Sequence, residues 1–368
     1  MKMTPEQDAL IQFIKVGLKK KDDIRLSSEI KWTRLIKLLI NQGVYAIAYD
    51  GLKRIHSEGF KPDDTSKMVL EKLNDEKLDE KRMEWYLLSM QETLSYKSAE
   101  NAIAKLASFY ADHGIEMMLL KGYSLNQYYP IRTSRHIGDI DIYLFGKWKE
   151  ADNALSKELG INISKEQEHH TTFLFEGYTV ENHYDFVNVS TRKSNKEIEK
   201  EFKQLAKDKS HFTIVNEQKI ILPSPNLNAL FLLRHSAKHF AVIGISIRHI
   251  LDWGFFVEKE GTKVDWEWLL ERAKYYNMHR FLSCINHICV DYLGFDEKMF
   301  PSTVKEETLE KKVLDDIFTN NNIPCSTTMM GQIKRWWNHR WQYNICFNDS
   351  YLSSIIQKTI TNLNIHRK

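Results

Sequence analysis

From Pro5 to about His113, apolar residues return every three or four positions, as in Leu10, Phe13, Ile14 and Leu18 and again in Trp32, Leu35, Ile36 and Leu39. That spacing places them on one face of a helix, so the region is predicted to be helical. The stretch from Asp64 to Asp112 is rich in Lys, Glu, Leu and Ala and has neither proline nor glycine. It predicts one long helix, or two in line, closed at Gly114, with its charges forming a solvated face.

The period changes at Ile115. Ile115 to Leu120 reads as a buried strand, Gly122 to Tyr129 as a short helix, Ile140 to Phe145 as a second strand and Trp148 to Leu159 as a helix. Thr171 to Phe175 and Tyr178 to Phe186 flank Glu176-Gly177, the signature of a hairpin. His211 to Val215 and Lys219 to Leu222 flank Asn216-Glu217-Gln218 in the same way. Between the hairpins, Arg192 to Lys209 has the composition of a charged, mobile helical insertion. After Pro223-Ser224-Pro225 the helical period resumes over Leu227 to Val242, Ser246 to Glu258, Trp266 to Tyr276 and Arg280 to Leu293. A basic aromatic run, Lys334 to Trp341, then precedes an amphipathic tail helix.

These elements predict an α+β protein: a mixed sheet made largely of hairpins over residues 114–222, between helical regions at 1–113 and 223–368. With 368 residues, the chain is long enough for two folding units or one domain with large helical additions. Apolar residues at 42% and charged ones at 27% describe an ordinary globular composition. The net charge of +3 is too small to argue for nucleic-acid binding without a local basic face. Cys284, Cys289, Cys325 and Cys346 form no CxxC pair and have no zinc-type spacing. Reduced thiols in a soluble cytoplasmic protein are expected, because no signal-peptide pattern opens the chain and no apolar run is long enough to cross a membrane.

The candidate chemistry centres on Gly138-Asp139-Ile140-Asp141. Residues two apart in a strand share a face, so Asp139 and Asp141 would stand side by side while Ile140 and Ile142 face the core. Adjacent carboxylates repel unless a cation sits between them, and hard oxygen ligands suit Mg²⁺ or Mn²⁺. Alone, such a pair is equally a solvated strand end. A third acid is offered by Val180-Glu181-Asn182-His183-Tyr184-Asp185, where Glu181, His183 and Asp185 alternate onto one polar face. Glu181 is preferred over Asp185, provided its strand lies beside that of Asp141. Lys121-Gly122-Tyr123-Ser124 leaves a strand and opens a helix, where free backbone N–H groups favour phosphate and Lys121 or Ser124 would contact it. Arg132 and Arg135 are either phosphate clamps or ion-pair partners of the aspartates.

The order Leu119-Leu120-Lys121-Gly122, Tyr129-Pro130, Arg132 or Arg135, Gly138-Asp139-Ile140-Asp141 and Val180-Glu181-Asn182-His183 resembles the uncharacterised nucleotidyltransferase family of the polymerase-beta-like superfamily. The segment holding His235, His239, Arg248 and Asp252-Trp253 resembles its C-terminal part, so the likeness spans roughly Gly114 to Arg280. It implies a minimal nucleotidyltransferase fold and a pair of divalent metal ions, Mg²⁺ or Mn²⁺, held by Asp139, Asp141 and Glu181. It also implies a nucleoside triphosphate donor bound near Lys121, Gly122, Ser124, Arg132, Arg135 and His183, and transfer to a hydroxyl of an unknown acceptor. The superfamily's usual turn has Gly-Ser or Gly-Gly, whereas Tyr123 separates Gly122 from Ser124 here.

Two other readings use the same residues: a binding module that has lost catalysis, and a toxin-like enzyme modifying transfer RNA through Lys334 to Trp341. Tryptophans in that run more often anchor a helix on the core. His235 and His239 sit four apart without the glutamate of a zinc protease, so helix packing or a wall of the substrate cleft is expected rather than zinc. Arg248 and Asp252 are expected to pair at i, i+4, and His169-His170 to be incidental.

Overall fold

The N-terminal apolar stripes form α1 (Pro5–Gly17), α2 (Trp32–Asn41), α3 (Tyr45–Ile55) and α4 (Asp64–Glu71). Two single 3-10 turns follow, and then α5 (Asp79–Asp112), a helix of 34 residues. The computed structural model describes residues 3–57, 60–164, 169–190, 192–319 and 340–349. Thr4 starts α1 with a capping box, its hydroxyl accepting from the Gln7 N–H while Gln7 accepts from the Thr4 N–H. Helices α1 and α3 then cross backbone to backbone at Gly17 and Gly51, where a Cβ would stand 2.2 Å from the Ile47 carbonyl or 2.3 Å from that of Phe13.

The middle of the chain gives β1 (Met118–Leu119), α6 (Tyr123–Asn126), β2 (Ile140–Tyr143), α7 (Trp148–Leu159), β3 (His170–Phe175), β4 (Tyr178–His183), α8 (Lys193–Leu205), β5 (Phe212–Val215) and β6 (Gln218–Ile221). They build one mixed sheet in the order β3-β4-β2-β1-β6-β5. Both expected hairpins form, on two-residue turns with positive φ at Glu176-Gly177 and Asn216-Glu217. The expected strand over Ile115 to Leu120 shortens to two residues. Ile115 N–H bonds back to Tyr110 at the end of α5, and beyond β1 the chain keeps only single contacts, Ile221 N–H to the Met117 carbonyl and Leu120 N–H to that of Asp141. After the sheet come α9 (Pro225–Val242), α10 (Ile247–Glu260), α11 (Trp266–Tyr275), α12 (His279–His287) and α13 (Glu307–Thr319).

The strand period of two divides the sheet into unlike faces. Leu119, Ile140, Ile142, Val180 and Ile220 pack beneath α5 and α7, against Ile103, Leu106, Tyr110, Ala151 and Leu155. On the opposite face Met118, Tyr143 and Ile221 join a larger core built by α1 to α3 together with α9 to α13. The N-terminal and C-terminal helical regions therefore share one core over one face of the sheet. Asp141, Glu181 and His183 belong by parity to that same face. No helix among the described residues is long and apolar enough to cross a membrane.

Arg192 to Lys209, expected as a mobile insertion, instead packs as α8. Ile198 and Phe202, four apart, are fully buried, and Phe202 meets Phe186 and Phe231. Packing of this stripe outweighs the charged composition of the other face. It also buries Glu199, whose carboxylate accepts the Val187 N–H at 3.0 Å. Burial and the nearby Asp185 push the Glu199 carboxyl up to about 7. Its proton is therefore bound more tightly in the folded chain. The stabilisation is fully present below the ordinary glutamate pKa and is lost as pH rises through about 7. Urea unfolding at pH 5 and pH 8 should show a loss on the order of 3 kcal/mol at most in the wild type, relative to a Glu199→Gln variant. Parallel pH profiles for the two proteins would contradict this.

Lys334 to His339 and the tail beyond residue 349 lie outside the described residues, and so do the expectations that fell on them. Trp341 is described: its ring meets Phe240 edge to face at 5.6 Å and lies 4.0 Å from the Lys312 ammonium. That is the anchoring role, on the core.

Candidate active site

The condition placed on Glu181 is met. β2 and β4 are neighbours, paired in parallel, with Asp141 opposite Glu181 and Tyr143 opposite His183. Asp141 is only 2% exposed, and two side chains meet its Oδ1: the Lys121 ammonium at 3.1 Å and His183 Nε2 at 3.0 Å. Glu181 stands 3.4 Å from the same His183 nitrogen and 3.9 Å from His170 Nε2. Asp139, just before β2, is exposed to the cleft and makes no hydrogen bond or ion pair with any described residue. Asp185 turns away to Lys203.

The charges follow this geometry. Burial alone would raise the Asp141 carboxyl, but Lys121 and His183 outweigh it and hold the group well below the usual range. Asp139 is pushed up, first by burial and then by Glu181 and Asp141. For Lys121 and His183, burial disfavours the charged form, but the acids win and both are raised. The site therefore holds more carboxylate charge than its own cations cancel. Carboxylate oxygens of Asp141 and Glu181 lie within 4.8 Å of one another, so this acidic pair fits a divalent cation, with His183 donating to Asp141 from behind.

Gly122 brings the turn against this strand. Its φ of +69° and ψ of −119° suit only glycine, and a Cβ would lie 3.1 Å from the Asp139 carbonyl. The remaining expected phosphate ligands are placed otherwise. Ser124 is buried and donates its hydroxyl to the Leu120 carbonyl, four residues back at the end of the strand, so the backbone before α6 consumes the donor. Helix α6 has four residues and a correspondingly small dipole. Arg132 is exposed on a 3-10 turn and does not line the cleft. Arg135 is buried and grips Asp252 with two bonds, Nε to Oδ1 at 2.7 Å and Nη2 to Oδ2 at 2.9 Å. It is an ion-pair residue, but its partner is Asp252 and not an aspartate of β2.

A cleft of about 210 Å³ lies between this strand end and the helices α9 and α10. Lys121, Gly122, Asp139 and Asp141 line one side, and His235, His239, Arg248, His249 and Asp252 the other. His235, His239 and His249 lie within ligand distance of each other, and burial lowers the pKa of all three, His239 to about 4 and His249 to about 3. The His249 Nδ1 accepts the Ser246 N–H at 3.2 Å, which puts the ring proton on Nε2 and leaves a donor there rather than a lone pair. Sequence spacing had no way to find His249 beside His239, since the two lie on different helices. His169-His170, expected to be incidental, packs its rings on His183 at 5.3 and 5.2 Å.

Acids on a mixed sheet thus stand across the cleft from a helical wall, beside a glycine turn. The chain belongs to the family described as "Uncharacterised nucleotidyltransferase", whose model matches residues 28–294. The match starts within the N-terminal helices and so runs further than the likeness read from the motifs. No curated protein matches by sequence. Among solved structures, the antibiotic-resistance factor ANT(2'')-Ia aligns at 10% identity and a TM-score of 0.34, over 45% of this chain and 86% of that one. An antigenic nucleotidyltransferase-like protein from Paracoccidioides brasiliensis aligns at 13% and 0.32, over 44% and 76%. Membership of this family supports nucleotidyl transfer.

Proposed function

We propose that the protein is a metal-dependent nucleotidyltransferase, moving a nucleotidyl group from a nucleoside triphosphate to a hydroxyl of its acceptor with release of pyrophosphate. The observation that carries this is the register of β2 and β4, which sets Asp141, a residue of the cleft lining, opposite Glu181. Asp139, Asp141 and Glu181 would hold Mg²⁺ or Mn²⁺. Such a cation, when bound, neutralises charge on the α-phosphate and acidifies the attacking hydroxyl.

The chain's own groups divide the remaining work. His183 fixes the Asp141 carboxylate through its Nε2–H, and Lys121 supplies a positive charge beside it for the phosphates. Glu181 takes the proton from the acceptor hydroxyl as the new O–P bond forms at the α-phosphorus. The bond from that phosphorus to the α–β bridging oxygen breaks, and pyrophosphate leaves with its electron pair. Gly122 lets the backbone approach the reacting phosphate, where a side chain would collide with the Asp139 carbonyl.

The test is pyrophosphate release from each nucleoside triphosphate in the presence of candidate hydroxyl acceptors. Release is expected with Mg²⁺ or Mn²⁺ and should stop when a chelator is added. Equal release with and without the chelator would contradict the proposal.

A further inference from the structure

Two arginines stand near the Asp252 carboxylate in the cleft, and only Arg135 binds it. Asp252 gives both oxygens to Arg135 and accepts a further bond at 2.7 Å from the Tyr129 hydroxyl. Arg248, one turn earlier on α10, is thereby displaced from its i, i+4 partner. Its stem lies over Gly43, whose added Cβ would be 3.4 Å from Arg248 Cδ. Its guanidinium lines the cleft and has no hydrogen bond or ion pair among the described residues. The fields of Asp252 and Glu92 reach it; Glu92 accepts from Tyr45 and His136 on Oε1, while its buried Oε2 makes no hydrogen bond among the described residues, to Arg248 or otherwise.

The other cations of the cleft are engaged: Lys121 with Asp141, and Arg135 with Asp252. Arg248 alone among the described lining cations keeps its five N–H donors unspent. A largely desolvated guanidinium without an acceptor is costly, and a planar fork of donors matches phosphate oxygens. Near it, the His249 ring adds an Nε2–H donor to the cleft lining.

We propose that Arg248 forms the anion subsite of the cleft and binds a terminal phosphate of the nucleoside triphosphate, across from the acids that hold its α-phosphate. This rests on the nucleotidyl-transfer reading of the cleft. It moves the phosphate tail from the Lys121-Gly122 turn to the N-terminal turn of α10. A phosphate or carboxylate on the acceptor has the same chemistry, and the experiment separates the two sources.

The full-length protein, Arg248→Gln and Arg248→Lys are titrated calorimetrically with tripolyphosphate, ATP and AMP in Mg²⁺, and their melting temperatures are compared. Arg248→Gln should weaken tripolyphosphate and ATP binding by roughly tenfold to a hundredfold, leave AMP binding unchanged, and melt no lower than wild type. Arg248→Lys should recover only part of the affinity. Wild-type affinity for tripolyphosphate in Arg248→Gln overturns the subsite. A melting temperature lowered by several degrees also overturns it, because Arg248 would then be serving Glu92. If these results occur while pyrophosphate release persists, the subsite alone falls. If the wild type neither binds tripolyphosphate nor releases pyrophosphate, the wider reading falls with it.

Discussion

Replacing Asp141 with asparagine is expected to lower nucleotidyl transfer by at least about a thousandfold while leaving the protein folded, a loss of roughly 4 kcal/mol in the barrier. Asparagine keeps the shape and one oxygen for Lys121 and His183, so the local contacts survive in weakened form. What disappears is the charge facing Glu181 across the parallel register. With Asp139 and Glu181 alone, the site loses its most buried carboxylate. The chemistry needs that charge more than the fold does, because the fold is held by the cores on both sheet faces. Steady-state transfer rates, with circular dichroism as the folding control, check this. A rate within tenfold of wild type would place the chemistry elsewhere.

Removing Asp252 should act on stability instead. Arg135 is 6% exposed, and both carboxylate oxygens of Asp252 meet its guanidinium. Asp252→Ala leaves that guanidinium buried beside Arg248 with no counter-ion, and strips the Tyr129 hydroxyl of its acceptor. Breaking one side of such a pair costs about 3–5 kcal/mol. Urea unfolding should show a loss of that size. Replacing both partners, as Arg135→Met with Asp252→Leu, should recover much of it, since an apolar pair of similar volume avoids the desolvated charge altogether. A loss under about 1 kcal/mol for Asp252→Ala would mean that water reaches the pair.

Much of the scaffold was legible in the residues because local rules decide it. The Glu176-Gly177 turn, the second hairpin and the strand carrying Ile140 and Ile142 follow from period and turn chemistry, and the structure builds them there. The meeting of Asp141 with Glu181 was legible only as a condition, because parallel pairing of β2 with β4 depends on how the sheet closes and not on either segment. Ser124 shows the limit of motif reading: the position suits phosphate, but a carbonyl four residues back takes its hydroxyl first.

The helical wall was misread for a physical reason that recurs. An i, i+4 pair such as Arg248 and Asp252 is worth only about 0.2–0.5 kcal/mol. A buried bidentate arginine from 117 residues away outcompetes it, and no local pattern announces such a partner. The consequence is functional, since it leaves Arg248 unspent in the cleft. Likewise α8 reads as charged and mobile until the stripe of Ile198 and Phe202 is given a core to enter.

The account turns on which phosphorus of the donor is attacked. Nucleoside triphosphates labelled separately at the α and γ positions, incubated with the protein, Mg²⁺ or Mn²⁺ and a mixture of hydroxyl-bearing acceptors, decide this directly. The α-label should become attached to an acceptor and the γ-label should leave in pyrophosphate, with neither event in Asp141→Asn. Transfer of the γ-label to the acceptor, or α-label transfer that survives in Asp141→Asn, would contradict the account.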